Sequence, residues 1–213
     1  MKNYNVNYIK IDTLLINGKG DDFQWSNAEV LSDFLSAWDD RIPSRIEFRS
    51  LWDSKNLFFC FKVFDNEINI DKRDNSKKSI GNSDRIELFF KKNNEPHTHY
   101  CLEIDPTSRI LDFKANPKRQ FEFDWNWPKE DIVVKSNIQN DFFTVEGAIS
   151  IASLEKLEVI TNNKIETGIF RAKYNKTKNS SYEPTWISWV NPNTKLPDFH
   201  TPTSFGILNL VQL

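Results

Sequence analysis

The run Leu57-Phe-Phe-Cys-Phe-Lys-Val-Phe64 constrains the fold more than any other stretch, because seven of its eight residues are apolar and they occupy both parities. Leu57, Phe59, Phe61 and Val63 share one face of an extended chain, with Phe58, Cys60, Lys62 and Phe64 on the other, so the segment reads as a strand covered on both sides. Other segments supply its neighbours. Arg85-Ile-Glu-Leu-Phe-Phe90 turns Ile86, Leu88 and Phe90 inward against Arg85, Glu87 and Phe89 outward. Tyr100 to Asp105 turns Leu102 and Ile104 inward against Cys101, Glu103 and Asp105. Further strands are expected over 110–114, 132–136, 142–149, 169–174, 185–190 and 205–211, separated by turns such as Lys92-Asn-Asn-Glu-Pro96, Asp105-Pro-Thr-Ser108 and Asn191-Pro-Asn193. Helix is expected only after the capping-box pattern Ser26-Asn-Ala-Glu29, where Leu31, Phe34 and Leu35 keep helical spacing, and in a turn from Ser153 to Leu157. The pattern predicts an all-β fold: an antiparallel β-sandwich of immunoglobulin-like or jelly-roll type with one or two short helices. At 213 residues, without repeat or linker, 1–213 reads as a single domain.

Composition agrees, since 17 Phe, 7 Trp and 5 Tyr enrich the residues that strands favour. With 28 Lys+Arg against 30 Asp+Glu there is no net basic field for nucleic acid or anionic lipid. No run approaches the length of a membrane helix, so neither nucleic acid nor membrane is expected as a partner. The start, Met-Lys-Asn-Tyr-Asn-Val-Asn-Tyr, lacks the apolar core of a signal peptide. It argues against export of the chain as given, and location stays open because a leader could have been removed. Cys60 and Cys101 fit no disulfide framework or redox motif and read as two buried thiols.

The motifs fall in a suggestive order. Ile16-Asn-Gly-Lys-Gly-Asp-Asp-Phe-Gln-Trp25 comes first, then Leu51-Trp-Asp-Ser-Lys-Asn-Leu-Phe58 and Val63-Phe-Asp65. Asn82-Ser-Asp-Arg-Ile-Glu-Leu-Phe89, Tyr100-Cys-Leu-Glu-Ile-Asp-Pro106 and Phe143-Thr-Val-Glu-Gly-Ala-Ile149 follow. Ile187-Ser-Trp-Val-Asn-Pro192 and Pro197-Asp-Phe-His-Thr-Pro-Thr-Ser-Phe-Gly206 close the series. In this order, from about Ile16 to Leu210, the chain resembles the family 9 carbohydrate-binding modules. The resemblance implies a β-sandwich that binds mono- or oligosaccharides without cleaving them, often with structural calcium, and often beside a glycoside hydrolase that it serves in polysaccharide breakdown. It also implies a sugar gripped between two aromatic rings. Glu87 matches the binding glutamate and Phe199 the second aromatic, while Gly81 stands where the first aromatic is expected. Glu103 stands at the position of an arginine, and Lys173 at that of an amide.

Independently of the family, alternation puts Arg85, Glu87, Glu103, Arg171 and Lys173 on the outward face of three strands. Sugar recognition uses planar carboxylate and guanidinium groups for hydroxyls and flat rings for the C–H face. Three cations would admit an acidic sugar as well as a neutral one. The same residues also fit a solvated face laced with ion pairs, so a divergent interaction or structural protein stays open. A third reading is a hydrolase or lyase using Glu87 and Glu103, which neighbouring strands could hold at the carboxyl spacing of glycosidases. Trp186 is the expected partner of Phe199, Trp189 reads as structural, and Trp25 and Trp52 read as core. If extended, Phe121, Phe123, Trp125 and Trp127 fall on one side, either a stacking platform or packing. His200 reads equally as a donor to a ligand hydroxyl or to a loop carbonyl. His97 and His99 share a side of a strand, but spacing marks no third or fourth ligand, so no metal is expected there.

Overall fold

The computed structural model describes residues 1–95 and 97–212, so the expected turn through Pro96 runs outside the described residues. Its strands are β1 (Asn3–Tyr8), β2 (Leu35–Ser36), β3 (Ile46–Trp52) and β4 (Asn56–Val63), followed by helix α1 (Lys77–Gly81). Then come β5 (Arg85–Lys91), β6 (His99–Ile104), β7 (Ile110–Asn116), β8 (Gln120–Glu122), β9 (Ile132–Ile138) and β10 (Phe143–Ser150). Helix α2 (Ile151–Lys156) precedes β11 (Ile160–Thr161), β12 (Lys164–Lys176), β13 (Tyr182–Ser188) and β14 (Gly206–Val211). Among the described residues the fold is nearly all β, with two short α-helices.

The fourteen strands form one curled mixed sheet in the order β8-β7-β6-β5-β12-β14-β1-β3-β4-β10-β9, with β13 and β11 on β12 and β2 on β13. The expectation of a purely antiparallel sheet fails at β1, which pairs in parallel with both β14 and β3. Residue alternation reports which face a side chain takes and says nothing of strand direction. β1 itself escapes notice because Asn3, Asn5 and Asn7, poor strand formers, alternate with Tyr4, Val6 and Tyr8.

The curl brings the inner face of β5 and β6 against that of β3, β4 and β10. Ile86, Leu88, Phe90, Leu102 and Ile104 thus share one core with Phe48, Phe59, Phe61, Val63 and Val145. The other face of β4 is covered as expected, with Phe58 and Cys60 packed against Trp25 and Ile9. A third cluster, Phe89, Cys101, Phe113, Phe170, Phe199 and Phe205, lies on the outer face of β5, β6 and β12. Both cysteines are buried and free.

No α-helix follows Ser26. Phe23–Asn27 is a 3-10 turn capped by Asp22, whose side chain accepts from Gln24 N–H, and Leu31 bridges to Phe48. The apolar residues there are anchored one by one, which overrides helical spacing. Trp25 donates its indole N–H to buried Glu146 at 2.7 Å, and the same carboxylate accepts from Gly18 N–H at 2.5 Å. The opening motif and the Val-Glu-Gly-Ala strand are therefore joined at one carboxylate. The expected turn at Ser153 is α2, capped by Ser150, which accepts from Ser153 N–H at 3.0 Å.

Candidate functional site

Strand alternation that sends Ile86 and Leu88 into the core sends Arg85 and Glu87 to the opposite face, and the β5–β6 register sets Glu87 directly across from Glu103. Like charges in that position repel. Arg85 relieves them: its Nε–H donates to Glu103 Oε2 at 2.5 Å and lies 3.0 Å from Glu87 Oε1. That N–H is directed at Glu103, and Glu87 Oε1 is buried without a hydrogen bond of its own. Arg85 Nη1 donates to the carbonyl of Gly81, the last residue of α1, which also accepts from the Tyr174 hydroxyl. The position where the resemblance expects an aromatic thus contributes a backbone acceptor that fixes the guanidinium.

This group is not solvated. Glu87 is 1% exposed, and Arg85 and Glu103 are also buried, which overturns the reading of a solvent-washed ion-pair face. Burial and the neighbouring Glu103 charge push the Glu87 carboxyl up to about 8, and burial raises Glu103 as well. The cover is a wall of rings. Trp186 stands edge-on to Phe199, Trp38 lies 5.6 Å from it, and Arg85 Cζ is 5.7 Å from the Trp186 ring. Together they line a partly open pocket, bordered by His200 and by an Arg119–Asp198 ion pair of 2.6 Å. Phe199 is itself mostly buried, stacked on Phe170 at 4.1 Å.

Two of the expected site residues lie elsewhere. The β12–β5 register pairs Ala172 with Arg85 and Phe170 with Glu87, so Arg171 and Lys173 point to the opposite side of the sheet. There Arg171, fully buried, pairs with Asp65 and Ser44, and Lys173 lies 2.9 Å from Asp65 and 3.1 Å from Asp84. The run from Phe121 is no single platform either. Phe121 and Phe123 pack on Phe113, while Trp125 and Trp127 turn to Tyr100 and the main core. Sequence reasoning missed Trp38, Arg119 and Asp198. Trp38 follows the segment read as helix, and its indole N–H is held by the Thr194 carbonyl at 2.9 Å.

His200 borders the pocket and also reaches inward, its Nδ1 2.9 Å from His99 Nε2. With Cys101 they form a group in which one donor atom from each side chain lies within 4.8 Å of the others, the one such group of possible metal ligands among the described residues. Calcium takes six to eight oxygens, and this nitrogen and sulfur set does not fit it. On the other side of the sheet, the carboxylates Asp65 and Asp84 are already counter-charged by Arg171 and Lys173.

A family model described as carbohydrate family 9 binding domain-like matches residues 16–213. The chain belongs to this family. None of the curated proteins matches the chain. Among solved structures, a Bacteroides uniformis protein provisionally described as carbohydrate-binding aligns with TM-score 0.76 and 14% identity over 99% of each chain. A family 9 carbohydrate-binding module from Caldicellulosiruptor kristjanssonii, solved with glucose, aligns with TM-score 0.66 and 16% identity over 100% of this chain and 97% of that one. The same module with cellotriose gives the same score and identity, over 95% of its length. The family 9 fold of this chain is thereby shared across its full length, including β1, which precedes the matched family segment.

Proposed function

We propose that the chain is a noncatalytic carbohydrate-binding module whose pocket between Trp38, Trp186 and Phe199 takes a terminal unit of a neutral, gluco-configured sugar. The observation that carries this reading is the Arg85–Glu87–Glu103 group buried at the floor of an aromatic-walled pocket. Rings cover the sugar's C–H face, and Glu87 Oε1, which faces Arg85 but makes no hydrogen bond of its own, can pair with a hydroxyl. Arg85 stands where it can do the work of the arginine that Glu103 displaces. An acidic sugar is disfavoured, because Glu103 counters Arg85 and Asp198 counters Arg119, leaving no unpaired cation among the described residues of the pocket. Family membership and the glucose and cellotriose complexes of the Caldicellulosiruptor module support the substrate class. Within this reading 1–213 is one domain, the curled sheet acts as the two layers of a jelly-roll-like β-sandwich, and the module serves polysaccharide breakdown beside a glycoside hydrolase.

Calorimetry and tryptophan fluorescence against glucose, cello-oligosaccharides and glucuronic acid test the proposal. Saturable binding of the neutral sugars is expected, weakened by Trp186→Ala and by Glu87→Gln, with no release of new reducing ends. A flat response across the panel, or binding indifferent to both substitutions, would sink it. Cleavage of a cello-oligosaccharide lost in Glu87→Gln would instead make the Glu87–Glu103 pair catalytic.

A further inference from the structure

All three histidines of the chain and one of its two cysteines converge at one place, between the outer face of β6 and the loop before β14. His99 and Cys101 share a face of β6 by alternation, and the loop delivers His200 opposite them. The tautomer of His99 is fixed: Nδ1 lies 3.0 Å from the His97 carbonyl, which only accepts, so Nδ1 carries the proton and Nε2 presents a lone pair. That lone pair faces His200 Nδ1 at 2.9 Å. A ring nitrogen held from behind by a carbonyl, with its other nitrogen aimed at further donors, is the usual preparation of a histidine for a metal ion. His97, its ring 4.8 Å from that of His99, lies beside the His200 backbone and has both nitrogens buried without a well-formed hydrogen bond. Phe89 and Phe205 pack against these rings and exclude water.

We propose that His99 Nε2, His200 Nδ1 and Cys101 Sγ form a three-donor site for a borderline-soft transition-metal ion of the zinc class. Two imidazoles and a thiolate are the donors such ions select, and they are poor ligands for magnesium or calcium. The two nitrogens are 2.9 Å apart and one donor atom from each of the three side chains lies within 4.8 Å of the others, so with metal–nitrogen and metal–sulfur bonds of about 2.0 and 2.3 Å the widest pair must close by about an ångström. The protons balance. Binding expels the Cys101 thiol proton to solvent, while the His200 proton moves from Nδ1 to Nε2 and stays on the ring. Since His200 also borders the sugar pocket, metal here would fix one of its walls, though the site stands whether or not that pocket binds sugar.

The test uses the full chain, reduced and stripped with a chelator, then titrated with zinc against a chromophoric competitor and with cobalt(II) by absorption. One equivalent of each is expected, with a thiolate-to-cobalt charge-transfer band in the near ultraviolet. Cys101→Ala should abolish the band and Cys60→Ala should keep it. His99→Gln should lower zinc affinity by at least about tenfold, the loss that even a residue behind a ligand produces. Far-ultraviolet dichroism of each metal-free variant checks folding, and the wild-type and Cys60→Ala spectra decide the matter even if Cys101→Ala does not fold. No saturable uptake by the wild type, uptake without a thiolate band, or a band surviving in folded Cys101→Ala overturns the proposal.

Discussion

Glu87 is held in a state it would not choose in water. Its folded-state carboxyl titrates at about 8 against an ordinary 4.5, because burial and Glu103 disfavour its charge more than Arg85 favours it. Between those two values the native protein keeps a proton that the unfolded chain has released, so stability falls as pH rises through this window and levels off above it. Glu87→Gln has nothing to ionise. Its unfolding free energy from urea denaturation should therefore gain on the wild type from about pH 5 to about pH 8, by at most a few kcal/mol, and equal sensitivity of both proteins would refute the assignment. At this scale the sequence was legible where alternation suffices: Arg85, Glu87 and Glu103 do share a face. Arg171 and Lys173 were misplaced because faces on separate strands can be related only through their pairing, and pairing Ala172 with Arg85 reverses them. Trp38 and His200 reach their positions along irregular loops, where no periodicity announces which way a ring points.

Among the elements, β10 leaves no room for a side chain at Gly147. A Cβ on Gly147 would sit 2.3 Å from the Phe59 ring and 2.8 Å from the Val133 carbonyl oxygen, contacts to both neighbouring strands. Gly147→Ala should cost about 1–3 kcal/mol in urea denaturation, since a ladder carbonyl cannot retreat without breaking the sheet. Gly81→Ala, whose added carbon meets only Leu111 Cδ1 at 3.5 Å, is the control and should stay within about 0.5 kcal/mol. Most strands were foreseen because each carries a two-residue period strong enough to survive single polar interruptions. The helix after Ser26 was not there because Trp25 and Leu31 each found a partner outside their own segment, Glu146 and Phe48. Helix α1 carries only Ile80 as a large buried apolar residue, and five residues offer no period to detect.

At the scale of the whole molecule, β1 is the single strand linking the two halves of the sheet's hydrogen-bonded path. Val6 is fully buried in the main core, and the Tyr4 hydroxyl accepts from Ser50 N–H at 2.9 Å while donating to the Glu29 carbonyl at 2.6 Å. Removing residues 1–9 should abolish the single cooperative thermal transition and the near-ultraviolet dichroism; a truncated chain that still melts as one unit would show that core packing alone holds the halves together. Asn3 pairs with Ile207, so this closure joins positions almost as distant as the sequence allows. Loop closure over such a span is entropically costly and slow, and sheets rich in distant pairings fold in milliseconds to seconds. Until it happens β14 and β3 each present an unpaired edge of matching shape, and any copy of β1 fits the gap equally well. Two chains that fold together at high concentration can therefore trade these segments, each completing the other's sheet, and the same contacts that make the monomer whole would tie a strand-exchanged dimer.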